Sequence, residues 1–239
     1  MPAQNSVNRN LLLVSSSRVH GSEFLDHCSE AIIAHFSGVQ SVLFVPYALA
    51  DHDKYEALVA DAFKKMGIEL KSIHHAESAA NAIDDAQGIF IGGGNSFRLL
   101  KTLYDLELLQ PLRAAVARQI PYMGSSAGTN MACPTIRTSN DMPIVQPPSF
   151  DALNLVPFQI NPHYLDADPN STHKGETREQ RLAEFHEEND TPVVGLREGS
   201  WLKIKDGSCE LRGDTGMVLF RAGQRPEKID GPKDLSELL

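Results

Sequence analysis

Ser126 lies in Gly124-Ser125-Ser126-Ala127-Gly128, a G-x-S-x-G run entered from the apolar Tyr122-Met123 and followed by a helix-like segment. Small residues on either side of a serine allow the tight strand-to-helix turn that lifts a hydroxyl clear of a sheet, and the helix start then favours developing negative charge. The chemistry this permits is acyl transfer, which also needs a base, an orienting acid and amides for an oxyanion. His163 is the leading base among nine histidines. It follows Pro157-Phe158-Gln159-Ile160 and a rigid Asn161-Pro162 corner able to hold an imidazole above a sheet. His74, His75 and His173 are lesser choices. Two carboxylates compete to orient the histidine, and spacing does not separate them. Asp141 gives the chain order Ser, Asp, His, whereas Glu198 lies on a loop just past a predicted strand. The first could instead make an Asx turn ahead of Pro143, and the second the tip of a hairpin.

Gly92-Gly93-Gly94-Asn95 follows the apolar Ile89-Phe90-Ile91, so amides free of side chains there could join the amide of Ala127 around a carbonyl oxygen. Neither G-x-x-x-x-G-K-[ST] nor G-x-G-x-x-G is present, which disfavours a nucleotide site. Thr177 and Gln180 have capping-box spacing at a helix start, and that role leaves Arg178 available to grip a carboxylate. His163, Asp166, Asp168 and His173 show no H-E-x-x-H or comparable ligand spacing, so no metal is expected.

The elements that must position these groups alternate in type. Strand-like runs at 11–14, 42–45 and 68–73 are each followed by a helical pattern, through Phe24 and Ile32, before Gly67, and near 79–83. This is the βαβ rhythm of a mainly parallel sheet. The clearest helix carries Tyr55, Leu58, Val59, Ala62, Phe63 and Met66 on one stripe and ends at Gly67. A strand at 88–91, the glycine loop, a helical stretch to about Arg118 and the strand that delivers Ser126 follow. Beyond a polar, Pro-containing stretch at 138–155, a helix near 177–186 and short strands near 193–196, 201–204 and 218–220 read as an antiparallel end to the same sheet. The whole chain, 1–239, is expected to form one α/β domain, with 224–239 as a surface tail.

With 239 residues, 41% hydrophobic, the chain is long enough to bury a substantial core. Its net charge of -9 disfavours nucleic acid and anionic membranes as partners, so an anionic substrate would have to be held by local cations. No run is long and apolar enough to span a bilayer and the first residues lack a signal-peptide layout, which points to the cytoplasm. Cys28, Cys133 and Cys209 are odd in number with no C-x-x-C, so neither a disulfide framework nor a zinc site is indicated.

Several longer runs add specificity: Cys133-Pro134-Thr135-Ile136-Arg137-Thr138, Asn140-Asp141-Met142-Pro143, Gln159-Ile160-Asn161-Pro162-His163 and Lys174-Gly175-Glu176-Thr177-Arg178-Glu179-Gln180-Arg181. With the glycine loop and the serine turn, they closely resemble the peptidase E, or α-aspartyl dipeptidase, family from the first strand to Trp201. The resemblance implies a cofactor-free serine peptidase acting on dipeptides with N-terminal aspartate. It implies an α/β fold, flavodoxin-like and similar to class I glutamine amidotransferases: a mainly parallel central sheet flanked by helices, with an antiparallel C-terminal extension. By the resemblance, the nucleophile falls on Ser126, the base on His163, the acid on Asp141 or Glu198, and the oxyanion amides on Gly94 and Ala127. Arg178 matches the arginine that recognises the aspartyl side chain, and Asn95 and Arg137 are expected to assist binding. A small peptide is the expected partner of a monomer or homodimer. The alternatives are a cyanophycinase-like hydrolase of aspartate-containing polymer, an inactive relative that binds a small metabolite, and a lipase-type hydrolase. The last is weakened by the short chain and the lack of an apolar lid.

Overall fold

The computed structural model describes residues 9–168, 170, 172 and 175–239. Short runs buried on both faces dictate its centre. β1 (Leu11–Val14), β2 (Ser41–Val45), β3 (Glu69–Ser72), β4 (Ile89–Ile91) and β5 (Tyr122–Ser125) pair in parallel in the order β3-β2-β4-β5-β1. Successive strand residues face opposite ways, so the two faces can be read directly. Leu11, Leu13, Leu43, Val45, Ile89 and Ile91 enter one core cluster, while Leu12, Val14, Val42, Phe44 and Phe90 enter the other.

Helices cover both faces. α1 (Ser29–His35) and α2 (His52–Lys65) supply Ile32, Val59 and Phe63 to the second cluster. α3 (Ala79–Asp84), α4 (Ser96–Asp105), α5 (Leu109–Ala117) and α6 (Ala127–Ala132) supply Ile83, Leu99, Leu112 and Met131 to the first. Each such large side chain, fully buried, contributes about 1.5–3 kcal/mol. The single helical stretch expected up to Arg118 is two helices, broken where Glu107 takes a φ of 55°. In α2, Tyr55, Val59, Ala62 and Phe63 are buried as the stripe requires, but Leu58 is exposed and lies at the mouth of a cleft.

The C-terminal half departs from a simple extension of this sheet. β6 (Gln159–Tyr164), α7 (Arg178–Glu188) and β7 (Val193–Arg197) form a parallel crossover that belongs to a second sheet. After it come β8 (Ser200–Lys205), β9 (Ser208–Gly213), β10 (Met217–Phe220), β11 (Glu227–Ile229) and β12 (Lys233–Asp234). The chain alternates between sheets: β8, β9 and β12 continue the large sheet on the β1 side, antiparallel, while β10 and β11 join β7 in the four-stranded sheet β11-β10-β7-β6. One face of this second sheet packs into the first core cluster through Ile160, Val194, Leu196 and Leu219, and the other takes Leu182 of α7. The stretch 224–239, expected as a surface tail, is mostly exposed but also strand-paired, with β11 on β10, β12 on β9, and Leu235 fully buried. Ile229 and Leu235 bring the apolar area needed to dock it.

The parallel strands β1, β4 and β5 all end at one edge, and β8, running antiparallel to β1, starts there. Val14 pairs with Trp201, so the turn at Glu198-Gly199 is delivered to the edge where Ser126 leaves β5.

Candidate active site

Ser126 occupies the junction of β5 and α6 with φ 52° and ψ −110°, a conformation rarely adopted by a residue bearing a side chain. Surrounding hydrogen bonds hold it there. Thr129 Oγ1 donates to the carbonyls of Val14 and Gly124 at 2.7 and 3.0 Å, the Tyr122 hydroxyl donates to Gly128 O at 2.6 Å, and Ser126 N donates to Val14 O at 3.1 Å. A Cβ on Gly128 would run into the Ile91 carbonyl, which is why glycine follows the serine at this spacing. Gly128→Ala is expected to destabilise the fold by about 1–3 kcal/mol and to displace Ser126, which denaturant unfolding with a parallel activity assay would detect.

His163 also has a positive φ, 53°, in a β-bulge that shifts the β6–β7 register between Asn161 and Tyr164. The corner expected after a strand is thus inside one. A polar net fixes it: Asn140 Nδ2 donates to Pro162 O at 2.7 Å, Asn161 Nδ2 donates to Asn140 Oδ1 and Thr138 O at 2.8 Å, and His163 N donates to Ser15 Oγ at 2.9 Å. Ser15 Oγ in turn donates to Leu196 O at 2.7 Å. Three residues past the histidine, Asp166 takes a bidentate bond from Arg197 at 2.7 and 3.3 Å. That guanidinium holds the Asp166 carboxyl down at about 2.

The imidazole bridges the serine and one carboxylate. Its Nε2 lies 2.8 Å from Ser126 Oγ and its Nδ1 lies 2.5 Å from Glu198 Oε1. An ionised carboxylate only accepts, so Nδ1 carries the proton and the Nε2 lone pair is left for the serine hydroxyl. Thr215 Oγ1 steadies the Glu198 backbone by donating to its carbonyl at 2.6 Å. Asp141 does not reach the histidine. Its Oδ2 accepts from Ser96 N and Ser96 Oγ at 2.7 and 2.5 Å, at the start of α4.

The glycine loop passes close behind Ser126. Gly94 has φ 133°, and a Cβ there would sit 2.7 Å from the Ala48 carbonyl. Gly92 N donates to Val45 O, and Asn95 N donates to Ala48 O. Burial pushes the pKa of the Tyr55 hydroxyl up, against the opposing effect of the nearby Gly93 amide. Gly93 N–H and Gly94 N–H are the two loop amides without a protein acceptor among the described residues, and both glycines line the cleft. Ala127 opens α6, so its N–H has no acceptor four residues back within the helix.

These groups face a cleft of about 840 Å³ lined by Ser126, His163, Glu198, Asp141, Gly93 and Gly94, and on its other wall by Ser17, Arg18 and His20. The family model described as Peptidase family S51 matches residues 11–212, which contain every one of them. The chain belongs to peptidase family S51. Over 96% of its length it is 54% identical to a protein named "Peptidase E" from Streptomyces coelicolor, of which it covers 95%. Over 97% of its length it is 50% identical to one named "Probable alpha-aspartyl dipeptidase" from Drosophila melanogaster, of which it covers 98%. The solved structure of a peptidase from an acI-B1 actinobacterium superposes with a TM-score of 0.68 at 18% identity, covering 95% of this chain and 96% of that one, so the fold is shared. The chain is a serine peptidase, and its three cysteines are buried free thiols pushed up to about 12 by burial, poor competitors as nucleophiles.

The remaining expected contacts divide. Arg178 opens α7 just after its N-cap Thr177, whose hydroxyl and Gln180 complete the capping box. The Arg178 guanidinium is half-buried and has no ion-pair partner among the described residues. Burial and then the charge of Arg181 pull its pKa below the ordinary arginine range, and Asp141 is near enough to oppose them. Asn95 is occupied: Oδ1 caps α4 by accepting from Arg98 N at 3.0 Å, and Nδ2 donates to Met142 O at 2.8 Å. Arg137 is exposed with its guanidinium over the Phe150 ring at 5.4 Å, and does not line the cleft. His74 and His75 pair with Asp53 and Glu56 and do not line the cleft either, while His173 lies outside the described residues. Sequence reasoning missed Ser15, which positions His163, and Arg18, a cleft-lining cation. The signal was Ser15-Ser16-Ser17-Arg18, a polar run leaving the first apolar strand.

Among the described residues, no helix is long and apolar enough to cross a membrane.

Proposed function

We propose that this peptidase hydrolyses dipeptides with N-terminal aspartate through an acyl-enzyme on Ser126. The observation that carries the reading is the continuous relay from Ser126 Oγ through His163 to Glu198, 2.8 and 2.5 Å, open to a cleft with arginine on its walls. His163 Nε2 takes the serine proton as Oγ attacks the peptide carbonyl, and Glu198 stabilises the imidazolium. Gly94 N–H and Ala127 N–H receive the oxyanion. His163 then gives its proton to the leaving amine, and water repeats the sequence on the ester.

An Asp-X dipeptide presents two carboxylates and one ammonium, and groups of matching sign lie on the cleft wall, Arg18 and Asp141, and beyond it at Arg178, which does not itself line the cleft but feels the charge of Asp141. Arg178 receives the aspartyl side chain, helped by its partial desolvation. Asp141, which lines the cleft and whose charge reaches Arg178, receives the α-ammonium, and Arg18 receives the C-terminal carboxylate. This gives Asp141 a binding role and Glu198 the catalytic one. Glu198→Gln is expected to lower kcat about 10- to 100-fold, whereas Asp141→Asn raises KM and leaves kcat within about threefold. The parallel strand order with helices on both faces also supports the doubly wound, flavodoxin-like class.

The test is steady-state hydrolysis of Asp-Leu, Ala-Leu and an aspartate-arginine polymer by the purified chain. The reading requires Asp-Leu to be preferred, and preferential turnover of polymer would replace it with the cyanophycinase-like alternative.

A further inference from the structure

Two histidines weighed as bases meet two carboxylates outside the catalytic cleft. We propose that Asp53, Glu56, His74 and His75 form a binding site for a zinc-class divalent cation that clips the start of α2 to the segment after β3. Asp53 and Glu56 are three residues apart in the first turns of α2, on one side of the helix, and His74 and His75 follow β3 directly. One ligand atom from each of the four lies within 4.8 Å of the others.

The spacing suits a tetrahedral ion. Ligands about 2.0–2.1 Å from a central zinc stand about 3.3 Å from one another. The four His-to-carboxylate separations bracket that value: 2.9 Å for His74–Asp53, 3.8 Å for His74–Glu56, 2.7 Å for His75–Glu56 and 3.9 Å for His75–Asp53. Small side-chain adjustments place all four at bonding distance.

Two further observations favour a cation. Ser72 is buried, and its Oγ lies 2.6 Å from His74 Nδ1; by accepting that N–H it would fix the tautomer that offers Nε2 as a ligand. Neither Asp53 nor Glu56 has a lysine or arginine partner among the described residues, so with neutral imidazoles the cluster carries two negative charges, which a divalent ion neutralises. The mixed imidazole and carboxylate set is one that zinc accepts. Tyr55, between the two acidic residues in α2, packs its hydroxyl end against Gly92, where a Cβ would meet it, so the clip steadies the helix that backs the glycine loop.

Full-length protein stripped of metal by chelator and titrated with zinc chloride in a calorimeter should bind one tight equivalent, and excess zinc should raise its thermal midpoint. His75→Ala, at an exposed side chain, and Glu56→Gln should each weaken binding at least about tenfold and remove the midpoint rise, with the zinc-free midpoint unchanged. Cobalt(II) in place of zinc should give the visible bands of tetrahedral coordination. No binding by the wild-type chain overturns the proposal. So does binding that survives in both variants but is lost in His163→Ala, because the ion would then sit at the catalytic histidine.

Discussion

Ser126→Ala is expected to lower kcat/KM for Asp-Leu by about 10⁴-fold or more while leaving the thermal midpoint within a few degrees of wild type. The size follows from the site. Removing Oγ leaves His163 with no hydroxyl to deprotonate, and water must then attack without the alignment given by the 2.8 Å contact. Whatever activity remains would come from the Gly94 and Ala127 amides and from binding. The fold should tolerate the change, because the Ser126 side chain contributes no structural hydrogen bond other than the one to His163 among the described residues. Steady-state kinetics together with circular dichroism check both parts, and residual activity above about 1% would remove Ser126 from the mechanism.

Arg178→Ala should cost about 2 to 4 kcal/mol of transition-state binding for Asp-Leu, about 30- to 900-fold in kcat/KM, and far less for Ala-Leu. The difference between substrates matters more than either value, since the proposed binding mode sets only the aspartyl side chain against this guanidinium. Arg178 is suited to the task because it begins α7 under a complete capping box, which fixes the backbone from which the side chain projects. Its net ion-pairing capacity is unspent among the described residues, unlike that of Arg197, which is occupied by Asp166 and Asp230. Arg178→Lys should recover only part of the preference, because an ammonium cannot reproduce the bidentate fork. An equal loss on both dipeptides would assign Arg178 a structural role instead.

The serine turn, the glycine loop and the five parallel strands were legible because each rests on local chemistry. Small residues must flank a strained φ at Ser126, and runs such as Leu11–Val14 must be buried on both faces. The acid behind His163 was not legible, because it depends on β8 pairing antiparallel with β1, a contact across nearly the whole chain. That pairing carries Glu198 over Ser126. Asp141 had the more familiar chain order, yet its carboxylate is drawn to the free amide and hydroxyl of Ser96.

The same limit explains the second sheet. β6 and β7 have the apolar patterning of strands, but nothing local says which sheet receives them; their burial into the first core cluster decides it. Asn95 and Arg137 show a different limit. Both residue types bind carboxylates well, but Asn95 is consumed in capping α4 and Arg137 stacks on Phe150, facts visible only once the partners are in place. Arg18 is the reverse case, a cation that lies in the cleft only because β1 ends beside β5.

The central claim is that Ser126 is the nucleophile activated by His163. Its most direct test is treatment of the wild-type chain, Ser126→Ala and His163→Ala with a serine-directed fluorophosphonate, followed by peptide mass spectrometry. A single adduct is expected on the peptide carrying Ser126 in the wild type, none in Ser126→Ala, and labelling slowed at least about 100-fold in His163→Ala. A stoichiometric adduct on any other serine, or unchanged labelling of Ser126 in the His163 variant, would contradict it.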